Sequence, residues 1–126
     1  MGNDTVEVML NINSGLPNPS WELSQRQIEE LRQLIEASRR ERREEGREAP
    51  GLGYRGFIIT NRGQLPGIPY RVRVYGGVLA VTETFEKERP RPIYYADTQG
   101  MESWLLKQAA KHGYPEDIAR PKENRD

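Results

Sequence analysis

Cysteine is absent from this 126-residue chain, and His112 is its one histidine. The first absence removes disulfides, thiolate nucleophiles and cysteine-ligated zinc. With a single imidazole, a metal would rest on carboxylates, and the Asp/Glu spacings match no hard-cation loop. No metal and no cofactor are therefore expected. An excess of charge is missing too, since nineteen basic and nineteen acidic residues cancel. Such a chain has no long-range field to draw in nucleic acid or an anionic membrane. No apolar run approaches the roughly 20 residues of a membrane span, and no basic-then-apolar leader opens the chain. The expectation is a soluble, cytoplasmic protein with no membrane partner. Neither a G-x-S-x-G, a P-loop nor a zincin pattern occurs, so the reading leans away from an enzyme.

What is present is mostly scaffold. Residues 5–12 alternate, with Val6, Val8, Leu10 and Ile12 on one side, as a half-buried strand does. Ser24 and Gln27 match a capping box, with Leu23 and Ile28 at its staple positions. The helix that follows carries Ile28, Leu31, Leu34 and Ile35 on one stripe. Beyond it, Arg39 to Glu48 is nearly all Arg and Glu, broken by Gly46. This run reads as a helical tip projecting into solvent and fraying before Gly46, because mixed charge runs are usually solvated faces.

Gly51, Gly53 and Gly56 spell G-x-G-x-x-G. A dinucleotide site needs a strand before that motif and a helix after it. Here a helix precedes and residues 54–61 read as a strand, so the match is a false positive. Pro66-Gly67-Ile68-Pro69 is a P-x-x-P match in a turn-rich connection, a weak signal. In residues 70–82, Gly76-Gly77 predicts a two-residue hairpin turn. Val74 then opposes Leu79 and Val72 opposes Val81, while Arg71, Arg73 and Tyr75 share the other face. Residues 93–96 form a short last strand, and Asp97 or Thr98 can cap a helix from about Gln99 to His112, with Met101, Trp104, Leu105 and Ala109 inward. Gly113, Tyr114 and Pro115 stop it.

The fold class expected is α+β. One domain over 1–115 holds an antiparallel-rich sheet of about five strands, ordered β-α-β-β-β-β-α, with two helices on one face. Residues 116–126 are a polar tail.

Two surfaces could carry function. The first is the loop with Asn13, Ser14, Asn18 and Trp21, stiffened by Pro17 and Pro19. It reads either as a recognition loop presenting an indole beside a helix N-terminus, or as a connector with Trp21 plugging the end of the core. The connector carries more weight, because buried aromatics mostly pack. The second is the hairpin face with Arg71, Arg73 and Tyr75, joined by Tyr54, Arg55 or Tyr95 from neighbouring strands. Arginine and tyrosine suit a protein partner or the bases of a single strand. The plain alternative is a wet sheet face with cross-strand pairs, or one covered by a helix. Nucleic acid is the least favoured occupant, given zero net charge.

His112 stands where a helix ends and reads as a cap before it reads as a base. Carboxylates at Glu83, Glu86, Glu88 and Asp97 would do acid/base work only if the fold gathered them. The segment Ser14-Gly15-Leu16-Pro17-Asn18-Pro19-Ser20-Trp21-Glu22-Leu23, with Trp104-Leu105-Leu106, resembles small uncharacterised bacterial proteins with an S-G-x-P-N-P-x-W-x-L start. The resemblance implies no fold, substrate or catalytic residue.

The functional expectation is a non-enzymatic binding or assembly module, acting through a protein partner or self-association. One alternative is a small-molecule-binding protein or small enzyme using Arg, Tyr and carboxylate groups. A second is single-stranded nucleic-acid binding through the hairpin face.

Overall fold

A glycine pair sets the centre of the sheet. The computed structural model describes residues 5–13, 17–49, 53–85 and 91–114. Within it, Gly76 and Gly77 take φ of 63° and 84°, the double positive φ that a tight hairpin turn between twisted strands requires. They join β5 (Arg71–Tyr75) to β6 (Val78–Thr82). Val74 opposes Leu79 and Val72 opposes Val81, the register expected from the apolar alternation.

The sheet grows outward from this hairpin. β4 (Gly53–Asn61) pairs with β5, and β1 (Val6–Asn13) pairs with β4. On the other side β7 (Ile93–Ala96) pairs with β6. Two short strands close the edges: β2 (Ser20–Glu22) beside β1, and β3 (Arg42–Arg43) beside β7. All pairings are antiparallel, and the order is β2-β1-β4-β5-β6-β7-β3. The fold is α+β, as expected, but the sheet has seven strands rather than about five. The two unforeseen strands have only three and two residues, too short for any periodicity to register. The chain order becomes β-β-α-β-β-β-β-β-α.

One face of the sheet is dry. Two cross-strand rows define it: Trp21, Val8, Ile59, Val72, Val81 and Ile93 in one, and Leu10, Phe57, Val74, Leu79 and Tyr95 in the other. These residues form one cluster with Ile28, Leu31 and Ile35 of α1 (Gln25–Ser38) and Met101, Leu105 and Ala109 of α2 (Met101–Lys111). Trp104 reaches from α2 to α1, where its indole N–H donates to Glu30 at 3.2 Å.

The helix ends are well specified. Both halves of the Ser24–Gln27 capping box are present. Asp97 caps α2 from a distance: its carboxylate accepts from the Met101 and Glu102 N–H groups at 2.6 and 2.9 Å. Gly100, in the left-handed region, lets the chain turn back to permit this. The helix thus begins at Met101, two residues later than expected. Its end is a Schellman motif, with the Tyr114 N–H on Ala109 O and the Gly113 N–H on Ala110 O.

The charge run behaves differently from the expectation. α1 ends at Ser38, whose hydroxyl donates to Leu34 O at 2.8 Å. The chain then turns, and Arg42 and Arg43 pair with Tyr95 and Tyr94 as the edge strand. Arg39 is held back against the sheet by Glu83 through two hydrogen bonds, and lies 5.9 Å from the Tyr95 ring. That hydrogen bond, and less so the nearby negative charge, push the guanidinium's pKa up against the opposing effect of burial. The run is therefore not a projecting helical tip. Apolar contact for a helix stops at Ile35, and the open β7 edge offers backbone partners instead. Residues 50–52 and the 115–126 segment, with Gly51, Pro115 and the expected tail, lie outside the described residues.

Candidate functional site

The open face of the sheet carries the chemistry. Its central row reads Met9, Ile58, Arg73, Ala80, Tyr94 and Arg43 across six strands. Beside it, Tyr75 opposes Val78, and Arg71 opposes Thr82. Among the described residues, no helix covers this face. What crosses it is the segment that leaves β3. Gly46 lies on the ring of Tyr94, so closely that a Cβ added there would stand 2.6 Å from a ring carbon. Arg47 then reaches the hairpin turn, where its side chain lies against Gly76. Residues 46–49 form a strap over β7, β6 and β5, and between strap and sheet is a groove of about 560 Å³.

Three arginines enter this groove: Arg47 from the strap, Arg73 from β5 and Arg55 from β4. Arg55 is there because of a bulge. The register of β1 with β4 shifts between Leu10 and Ile12, so Arg55 and Gly56 together face Asn11. Gly56 adopts φ of 87°, and a Cβ there would meet Val74 O at 2.1 Å. Only glycine fits so close an approach in that conformation. The bulge leaves Tyr54 on the helix side and turns Arg55 to the open side. The Arg55 Nε is buried and has no hydrogen-bond partner among the described residues. Leaving a buried guanidinium donor unpaired is costly, and such a group in a native structure calls for a partner.

Tyr75, Tyr94 and Thr82 also line the groove, and Glu48 is its one carboxylate among the described residues. Val78 and Ala80 make an apolar floor. The lining is rich in donors and poor in acceptors. Among the described residues, three arginines against one glutamate leave a formal excess of two positive charges.

Of the seven residues singled out from sequence, the groove gathers two, Arg73 and Tyr75. Arg71 is one row outward, exposed, with its guanidinium 5.2 Å from the Tyr70 ring. Asn18 and Trp21 are on the far side of the sheet, at β1 and β2. Asn18 serves the backbone, accepting the Ile12 N–H at 2.9 Å and donating to Asn11 at 3.4 Å. Asn13 pairs through its backbone with Gly53, and Ser14 lies outside the described residues.

The indole of Trp21 is not presented to solvent. It is 8% exposed, its Nε1–H donates to Gln108 Oε1 at 2.9 Å, and it meets Phe57 edge-on. His112 stacks on it at 4.6 Å. The connector reading describes this side chain, and the histidine acts as its lid. Tyr95, considered for the open face, turns inward to the helices. The polar groove residues that the sequence did not bring to this face are Arg47, Glu48 and Tyr94. Gly46, the one break in the charge run, was the available signal for the strap.

The remaining polar clusters are structural. The Tyr54 hydroxyl donates to Glu102, whose other oxygen faces the Gly77 N–H at 3.4 Å. Burial first, then that hydrogen bond, hold the Tyr54 phenol well above its ordinary range. Asn61, 2% exposed, spends its amide on Leu65 and Ile68 and so folds the 62–69 loop. Ile68 and Pro69 are buried by that loop, which removes the P-x-x-P as an exposed ligand. Among the four carboxylates weighed from sequence, Glu83 is engaged with Arg39 and Asp97 with the helix end. Glu86 and Glu88 lie outside the described residues. No group of three or more His, Asp or Glu side chains suited to a metal occurs among the described residues. Nor is any described helix long and apolar enough to cross a membrane.

Compared with protein-family models, curated proteins and solved structures, the chain matches none.

Proposed function

We propose that the protein is a non-enzymatic binding module whose site is the groove under the strap, and that its ligand is an anion. One observation carries the reading: Arg55, whose Nε is buried without a partner among the described residues, lines the same groove as Arg47 and Arg73. Guanidinium forks suit planar or tetrahedral oxyanions. The groove's volume of about 560 Å³ falls within the range of small-ligand sites. The 17–21 side of the sheet contributes stability in this reading rather than recognition.

A melting-temperature panel of small anions, zwitterions and cations tests it. Anions alone should raise the melting temperature, as any ligand of the native state does. The rise should vanish in an Arg55→Gln/Arg73→Gln double variant. Anions that stabilise the double variant equally would remove the groove as the site.

A second reading, docking of a protein partner or a second copy, is favoured by Phe85. This is the one exposed large hydrophobic among the described residues, 62% exposed and packed edge-on against Tyr70. A native mass spectrum of wild type and Phe85→Ser tests that reading. A dimer or complex lost in the variant would support it, and a monomer from both would not.

A further inference from the structure

We infer that the anion is a phosphate monoester on a small molecule, an inference that rests on the anion reading above. The charge balance carries the argument. Among the described residues, Arg47, Arg55 and Arg73 against Glu48 leave two positive charges. A phosphate monoester brings roughly −1.5 to −2 at neutral pH and three acceptor oxygens. A carboxylate brings one charge and two oxygens, leaving one guanidinium without a counter-charge. The hydrogen-bond inventory agrees. Each arginine offers a fork of donors, and Tyr75 and Tyr94 also line the groove. A tetrahedral group with three free oxygens can engage donors from the strap, the bulge and β5 together.

The strap decides between a small molecule and a polymer. An aromatic, basic sheet face could stack a single strand of nucleic acid along its length. Here residues 46–49 run across that face, and Gly46 sits on the Tyr94 ring without a gap. A strand would have to thread beneath the strap. A small molecule needs only the groove, with its phosphate toward Arg55 and its body on Val78 and Ala80.

The test uses three probes that share one flat body: phenyl phosphate, phenyl sulfate and benzoate. Each is titrated into the ¹⁵N-labelled full chain, read at the arginine Nε–Hε signals. The titrations run at about pH 7.5 and about pH 5, either side of a second phosphate pKa of about 6. Phenyl phosphate should shift the Arg55 signal. At the higher pH it should bind about tenfold tighter than the other two, because it alone brings a second negative charge to the guanidinium groups and so strengthens their hydrogen bonds. That advantage should shrink at the lower pH, while the two monoanions show no such change. Arg73→Gln, a change at an exposed position, should weaken phenyl phosphate about tenfold.

Equal affinity for all three probes, without the pH step, would overturn the phosphate assignment and leave the anion site standing. No movement of the Arg55 signal with any probe would overturn both. An oligodeoxythymidylate that binds tighter than phenyl phosphate, with a steep salt dependence, would replace the small molecule with a single strand.

Discussion

The two faces of the sheet are built from the same alternating strands but are covered by different means. The helix face is closed by burial: Phe57, Leu31, Leu105 and Met101 are almost wholly removed from water. Its polar side chains are few and mostly committed, as with the indole of Trp21 on Gln108 Oε1, although the Gln108 Nε2 is itself buried without a partner among the described residues. The open face is crossed in part by the four-residue strap at 46–49. It keeps arginine, tyrosine and threonine side chains around a space they do not fill, and one buried Arg55 nitrogen remains unpartnered. The two faces divide the labour. Stability resides where side chains fill their volume; under the proposed function, recognition falls where donors outnumber acceptors.

That division can be broken most severely from the helix side. Phe57→Ala should cost about 3–5 kcal/mol, the range for a large aromatic removed from a core. A urea titration reads it, and the division predicts that whatever folded fraction remains still binds an anion. Trp21→Phe should cost about 2 kcal/mol, because the change leaves Gln108 Oε1 buried without its donor. Its anion affinity should equal wild type in calorimetry; a loss of affinity would return the 17–21 side to the functional surface.

Tyr54→Phe is a smaller change, about 1 kcal/mol at neutral pH, with a pH signature. The Tyr54 phenol is held above its ordinary value of 10.0 by burial and by Glu102. The unfolded phenol ionises near that value while the folded one stays neutral. Its contribution is therefore whole below about pH 10 and is lost as pH rises beyond it. Denaturation curves at increasing alkaline pH should fall more steeply for wild type than for Tyr54→Phe. Smallest of all should be Arg73→Gln, an exposed change within about 0.5 kcal/mol of wild type. Paired with its loss of anion affinity, that near-neutral stability is the mirror image of Trp21→Phe.

The helix face was largely legible in the sequence, because each of its signals is local. The Gly76-Gly77 pair sets a turn, and the turn sets the register of Val72, Val74, Leu79 and Val81. Ser24 and Gln27 set a helix start within four residues, and Gly113 sets a helix end. The open face was legible only in part. Arg73 and Tyr75 follow from the hairpin alternation. Arg55 faces the groove because Gly56 permits a bulge against Val74, which depends on a strand distant in sequence. The strap is harder still. Residues 39–48 have the composition of a solvated helix, and what redirects them is the free edge of β7, some fifty residues later. Local propensity favoured a helix there, and tertiary backbone pairing overrode it. The short strand β2 was hidden for a similar reason: Trp21 pairs with Val8 across a proline-rich loop whose composition reads as irregular.

The most direct test of the two-face account is a backbone amide chemical-shift map of the full chain titrated with phenyl phosphate. The account predicts shifts confined to the strap at 46–49, the bulge at 55–56, the hairpin at 73–82 and residues 92–94. Shifts centred instead on residues 17–21 and 108–112, with the strap unmoved, would contradict it and place recognition at the Trp21 end of the molecule.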